Sequence, residues 1–325
     1  TAGNAGSVSS TNYVLDTTAP TSTSATIAVS GSGNANDGDV VTLTLDPSED
    51  VQTPTCTWTD GSGAMEDTSV TYGTTGDDSH TAAVTVDNAD QDGAVGFSCT
   101  YSDTAGNAIA AAITSATSGS VTVDNTHPTS TSAVLAVGGS GDGNNGDDVT
   151  LTLNPSEDVG TPTCSFTSGG AAMANSVSYS TTGDDSHVAT IAIADGDTNG
   201  AVAFSCTYSD TAGNAIATAI TAASSGAVTV DNTHPTASAV TIAVSGTGNG
   251  NNADVITLTI DPSETIGAPT CTFTSGGAAM ADSSIDYATV GGTDHHTAAI
   301  TVADADTDGA VAFSCTFSDS AGNAV

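Results

Sequence analysis

Apolar residues in this chain fall in short runs that alternate with Ser and Thr, as in Val41, Leu43 and Leu45, then Ala82, Val84 and Val86, then Val95, Phe97, Cys99 and Tyr101. A period of two places each run on one face of a strand. Turns rich in Gly, Asn, Asp and Pro interrupt the runs about every ten residues, a spacing that suits short antiparallel strands. Within residues 17–124 the pattern predicts strands at Ala25–Ser30, at Val41–Leu45, at Pro54, Cys56 and Trp58, around Tyr72, at Ala82–Val86, at Val95–Tyr101, and from Ile109 on to Val121 and Val123. No stretch has the spacing of an amphipathic helix. Seven short strands with frequent turns predict an all-β fold, a seven-stranded Ig-like β-sandwich.

The pattern repeats. Asp306–Asn323 carries an acidic Gly turn, an apolar run through one cysteine, an Asp and an Ala-Gly-Asn turn, and earlier copies stand at Asp90–Asn107 and Asp197–Asn214. Cys56, Cys164 and Cys271, like Pro20, Pro128 and Pro235, recur in phase with it, so the unit is about 107 residues, the size of a small domain. Three tandem Ig-like domains are expected at 17–124, 125–231 and 232–325, with linkers Asp16–Pro20, Asp124–Pro128 and Asp231–Pro235. Residues 1–16 form an expected orphan closing strand: Thr1–Ala5 copies Thr104–Ala108, and Tyr13-Val-Leu-Asp16 occupies the place of Val121-Thr-Val-Asp124. The third repeat stops before its own closing strand. Either the chain continues past Val325, or residues 7–15 of one copy insert into the third domain of the next, and the duplicated Ala-Gly-Asn-Ala at Ala2 and Ala321 favours the first arrangement.

Charge narrows the partners. The chain has 37 acidic residues and no Lys or Arg, a formal charge of −37. No conventional salt bridge can form, and self-repulsion must be offset by salt or bound cations. Nucleic acid and anionic membranes are excluded as partners. Cations remain, together with copies of the chain itself, head to tail or laterally. Two cysteines per repeat, with no CxxC pattern, lie on core-facing positions of expected neighbouring strands, which predicts bonds Cys56–Cys99, Cys164–Cys206 and Cys271–Cys315 and an oxidising, extracellular or cell-surface location. No catalytic constellation is legible, so an enzyme is not expected. His80, His187 and His295 or His296 follow an Asp and are expected at an exposed turn. Outward Ser and Thr are candidate positions for O-linked sugar.

Asp-Thr-Thr-Ala-Pro at 16–20, Ser-Glu-Asp-Val at 48–51 and Ser-Asp-Thr-Ala-Gly-Asn-Ala at 102–108 resemble the bacterial Ig-like repeats of large surface adhesins and related extracellular repeat proteins. The resemblance covers all three repeats. It implies a stalk, adhesive or fibre role outside the cell, often with calcium. Unlike antibody-type domains, the first cysteine falls on the third strand, two residues before Trp58, so the bond is expected within one sheet.

Two acidic features are candidate calcium ligands. Asp304-Ala-Asp306-Thr-Asp308-Gly309 satisfies the start of a DxDxDG loop and Asp195-Gly-Asp197-Thr-Asn199-Gly200 nearly does, but position twelve is Cys315, which excludes a complete EF-hand. In a seven-stranded sandwich the chain leaves at one end and enters the next domain at the opposite end, so each junction stacks different loops. Asp90, Asp92 and Asp124 are expected to face Glu157, Asp158 and Asp210, while Asp197, Asn199 and Asp231 face Glu264 and Asp319. Cadherin-like linkers use this arrangement, and hard oxygen donors suit calcium. The expected role is the structural repeat of an extracellular filament or appendage, or else a calcium-rigidified adhesin stalk.

Overall fold

The computed structural model describes residues 13–31, 33–76, 78–139, 142–182, 185–290 and 295–325. They form strands, turns and irregular segments without a helix. Two compact units divide the chain: residues up to Pro128 with 158–160 and 209–217, and the remainder.

The first sandwich contains β1 (Ser22–Val29), β2 (Val40–Pro47), β3 (Thr55–Thr59), β4 (Thr71–Thr75), β5 (Ser79–Thr85), β6 (Gly93–Ala94), β7 (Gly96–Thr100) and β8 (Thr122–Val123). One sheet runs β1-β2-β5-β4, and across the core lie the pairs β3-β7 and β6-β8. The second comprises β9 (Ser130–Val137), β10 (Asp148–Pro155), β11 (Thr163–Ser168), β12 (Ala171–Ala172), β13 (Ser178–Thr181), β14 (His187–Ala192), β15 (Gly200–Thr207) and β16 (Thr229–Val230), in sheets β9-β10-β14-β13 and β12-β11-β15-β16. The third has β17 (Ala237–Val244), β18 (Val255–Pro262), β19 (Thr270–Ser275), β20 (Ala278–Ala279), β21 (Asp286–Thr289), β22 (His296–Thr301) and β23 (Val311–Thr316), in sheets β17-β18-β22-β21 and β20-β19-β23. Every pairing within these sheets is antiparallel, and the four-stranded order in all three is that of an Ig-like sandwich.

Alternation produces this arrangement directly. On β2, Val41, Leu43 and Leu45 are fully buried and the threonines between them are half-exposed. Few aromatics serve each core, and those present stand together beside the disulfide. Cys56 pairs with Cys99 and Trp58 with Phe97 on facing positions of β3 and β7, and Cys164 and Phe166 repeat this against Cys206 and Phe204. The ring centroids lie 6.0 and 6.3 Å apart. All six cysteines are bonded, Cys56–Cys99, Cys164–Cys206 and Cys271–Cys315, each bond within one sheet.

Two expectations change. His80, His187 and His296 are buried, not exposed at a turn: each opens the fifth strand and pairs with Leu45, Leu153 and Ile260, respectively. The strand starts two residues earlier than the apolar run suggests, and the period of two then turns the imidazole inward. Most of the expected orphan strand, residues 7–12, lies outside the described residues, while Tyr13, Val14 and Leu15 carry no strand and are exposed. Among the described residues, the third sandwich has no strand in the place of β8 and β16.

Candidate functional site

The Asp-x-Ala-Gly-Asn turn is built around its first carboxylate. Asp210 Oδ1 accepts the backbone N–H groups of Ala212, Gly213 and Asn214 at 2.9, 2.7 and 2.9 Å. Asp319 Oδ1 accepts those of Gly322 and Asn323 at 2.7 and 2.9 Å, and Asp103 Oδ1 that of Asn107 at 2.8 Å. The glycine takes a positive φ near +100° in all three, 97°, 104° and 97°, which closes the turn at no steric cost. The Asn amide donates to the second carboxylate oxygen of the Asp, and also to a linker carbonyl: Asn107 to Asp16 at 3.2 Å, Asn214 to Asp124 at 2.7 Å and Asn323 to Asp231 at 2.7 Å. One asparagine therefore clasps the incoming linker against each turn.

The clasp brings carboxylates together. Asp16 meets Glu49, from the loop after β2, and Asp103; Asp231 meets Glu264, from the loop after β18, and Asp319. In each group one carboxylate oxygen per residue lies within 4.8 Å of the others. Asp124, Glu157 and Asp210 are the same positions in sequence. Burial, then the charges of Asp16 and Asp103, push the Glu49 carboxyl above its ordinary value, and burial with Asp231 and Asp319 does the same to Glu264. Burial also acts upward on Asp103, but the side-chain and backbone hydrogen bonds of Asn107, with those of Gly106 and Ala105, outweigh it and hold this carboxyl low. The glutamate is thus the strained member of each group.

The acids of the other turn behave differently. Asp90 is buried and accepts the N–H groups of Glu66 and Asp87 at 2.7 and 2.8 Å. Asp197 accepts those of Ala174 and Ala194 at 2.8 and 2.9 Å, and Asp306 those of Ala281 and Ala303 at 2.6 and 2.9 Å. Asp92 accepts from Asn125 N–H and the Thr126 hydroxyl, and Asn199 bonds Asp231 and Asn232. These residues tie each sandwich to its outgoing linker. Asp158, Asp195, Asp304 and Asp308 are exposed and belong to none of the three-carboxylate groups found among the described residues. His127 and His234 present Nδ1 to the carbonyls of Ala215 and Ala324 at 2.8 and 3.0 Å, which makes that nitrogen the donor.

Asp16, Glu49 and Asp103 were not anticipated as ligands, although their repeat phase matches Asp231, Glu264 and Asp319. Three convergent carboxylates without a cationic side chain form an all-oxygen donor set of the kind hard divalent ions prefer.

No family model and no curated protein sequence matches the chain. Among solved structures, an I-band fragment of titin overlaps 94% of this chain and 95% of its own, with 13% identity and a TM-score of 0.38. A tetra-tandem repeat from the extending region of a large adhesion protein covers 94% of this chain and 72% of its own, with 16% identity and a TM-score of 0.29. The N-terminal eight Ig domains of Down syndrome cell adhesion molecule cover 92% of this chain and 36% of their own, with 13% identity and a TM-score of 0.26. The Ig-like assignment itself rests on the strand orders given above.

Proposed function

We propose that the chain is a structural segment of an extracellular filament or appendage, built from Ig-like modules joined in series. The observation that carries this reading is the thrice-repeated clasp, in which the turn asparagine holds the carbonyl of the linker aspartate. A hydrogen-bonded linker restricts the pivoting that free modules in series would show by default. The disulfide in every sandwich supports an oxidising location outside the cell. With charge −37 and no Lys or Arg, the chain has cations and copies of itself as partners, not nucleic acid or anionic lipid.

A second reading, a calcium-rigidified stalk of a surface adhesin, is favoured by the carboxylate groups of Asp16 and Asp231. Calcium bridging linker, loop and turn would reinforce the asparagine clasp. Small-angle scattering with melting curves at constant ionic strength tests both. The serial reading expects a long maximum dimension in calcium and in chelator; the stalk reading expects length and melting temperature to fall on chelation. A compact particle in both buffers overturns the first, and indifference to chelation overturns the second.

A further inference from the structure

The third sandwich is open where the first two are closed. In the first, β8 pairs with β6, Gly93 opposite Val123 and Ala94 opposite Thr122; in the second, Gly200 and Ala201 stand opposite Val230 and Thr229. The inward residues Val121, Val123, Val228 and Val230 are buried. Their backbone completes two neighbours. Val95 N–H donates to Val121 O, Ala35 N–H to Thr122 O, and Asp124 N–H to Ala35 O; Val202, Gly143 and Asp231 repeat the three bonds in the second sandwich. The equivalent positions in the third are Val311 and Gly250, and among the described residues no strand pairs with them. A cleft of about 960 Å³ lies there instead, lined by Ile242, Val244, Ile256, Val302 and Val311. Ile242 is 46% exposed, against 4% for Ile27 and 5% for Leu135 at the same strand position.

We propose that Tyr13–Asp16 of a second copy of this chain fills the cleft as an added strand. Tyr13-Val-Leu-Asp16 stands in phase with Val121-Thr-Val-Asp124 and Val228-Thr-Val-Asp231. Tyr13, Val14 and Leu15 are 93%, 93% and 88% exposed, so nothing on their own module uses them. Asp16 is already clasped by Asn107 as Asp124 is by Asn214 and Asp231 by Asn323, which places the residue following the donor strand as it stands at the internal linkers. In this register Tyr13 and Leu15 enter the cleft and Val14 faces out opposite Ala310. Val311 N–H donates to Tyr13 O, Gly250 N–H to Val14 O, and Asp16 N–H to Gly250 O. Main-chain pairing to an open edge supplies attraction, and the two apolar side chains supply register. The match is confined to these four residues: Thr11 stands where Gly119 and Gly226 approach the carbonyls of Ile27 and Leu135 too closely for any Cβ. This inference deepens the serial-fibre reading and rests on it.

The test uses the full chain at about 0.15 M salt, where charges more than a Debye length apart are largely screened. Multi-angle light scattering should show mass growing with concentration. Leu15→Asp, which alters an exposed residue and leaves the melting curve unchanged, should weaken association by at least about tenfold, because it carries a charge into an apolar cleft. Val14→Cys combined with Ala310→Cys should form a ladder of intermolecular disulfides on oxidation, beyond the dimers open to either single variant, since the native cysteines are all bonded. A wild-type chain that stays monomeric, growth unaffected by Leu15→Asp, or a double variant without a ladder would each overturn the proposal. Scattering on the Leu15→Asp monomer separates the two readings: an extended monomer with no assembly keeps the serial reading and removes strand insertion.

Discussion

Replacing Glu264 by Gln probes the carboxylate groups most directly. Glu264, Asp231 and Asp319 offer oxygens within 4.8 Å of one another, so the change deletes two like-charge pairs. At that separation two unit charges in water repel by about 0.9 kcal/mol, and Glu264 is exposed enough for a water-like dielectric to apply. Salt at about 0.15 M, with a Debye length of about 8 Å, leaves roughly half of this, so the two pairs together amount to about 1 kcal/mol. Glu264→Gln should therefore stabilise the chain by about that amount, or about 2–4 °C in melting temperature for a cooperative unit of this size. The sign reverses when a divalent ion binds. Calcium at ten times its dissociation constant stabilises the wild type by about 1.4 kcal/mol, and the variant, one charge short, gains less. The pH dependence follows from the raised Glu264 value, caused by burial and by Asp231 and Asp319, above an ordinary 4.5. A folded state that holds its proton longer is favoured fully below the unfolded value and loses that advantage as pH rises through the folded one. Wild type and variant should converge near pH 4 and separate towards neutrality. Calorimetry in chelator and in calcium, at fixed ionic strength, reads all three effects. A variant no more stable than wild type in chelator at neutral pH would refute the repulsion, and an order that calcium does not reverse would refute the metal reading alone.

Other outcomes follow from the same geometry. Cys164→Ala with Cys206→Ala opens a loop of sequence separation 42 and should cost up to about 4 kcal/mol on the chain-entropy model, read by denaturant unfolding. Asp60 is held at about 2: burial acts upward but is outweighed by the N–H groups of Gln91, Ser62 and Gly63 and the Ser62 hydroxyl. Its stabilisation, about 1 kcal/mol after screening, is present above pH 4 and lost as pH falls through about 2, and Asp60→Ser, the residue type of the other two repeats, should remove that acid limb. Gly226→Ala should be far more damaging than Gly106→Ala. A Cβ at Gly226 falls 1.8 Å from Leu135 O, whereas one at Gly106 meets nothing within 4 Å, although both have positive φ. Equilibrium unfolding should give about 1 kcal/mol for the second and several times that for the first.

Much of the fold could be read from alternation alone. Val41, Leu43, Leu45 and the Val95–Tyr101 run state their strand and face outright, and repeat phase with two cysteines per unit was enough to place each bond within a sheet. His80 was legible too, since His80, Ala82 and Val84 keep one period of two, but the preceding Asp drew it towards a turn. Asp90, Asp197 and Asp306 were harder for a physical reason. A carboxylate in a Gly turn serves a cation or caps amides equally well in sequence, and only tertiary structure shows whether two N–H groups converge on it, as those of Ala281 and Ala303 do on Asp306. This competition is sharpened by composition. Among 37 acidic residues with no Lys or Arg, a carboxylate leaving water has only backbone N–H, hydroxyl and amide donors to turn to. Asp103 obtains enough of them to be held low, whereas Glu49 and Glu264 are pushed up. The strained glutamates are therefore where a cation, absent from the chain's own side chains, gains most by binding, and both stand beside the aspartate of a clasped linker.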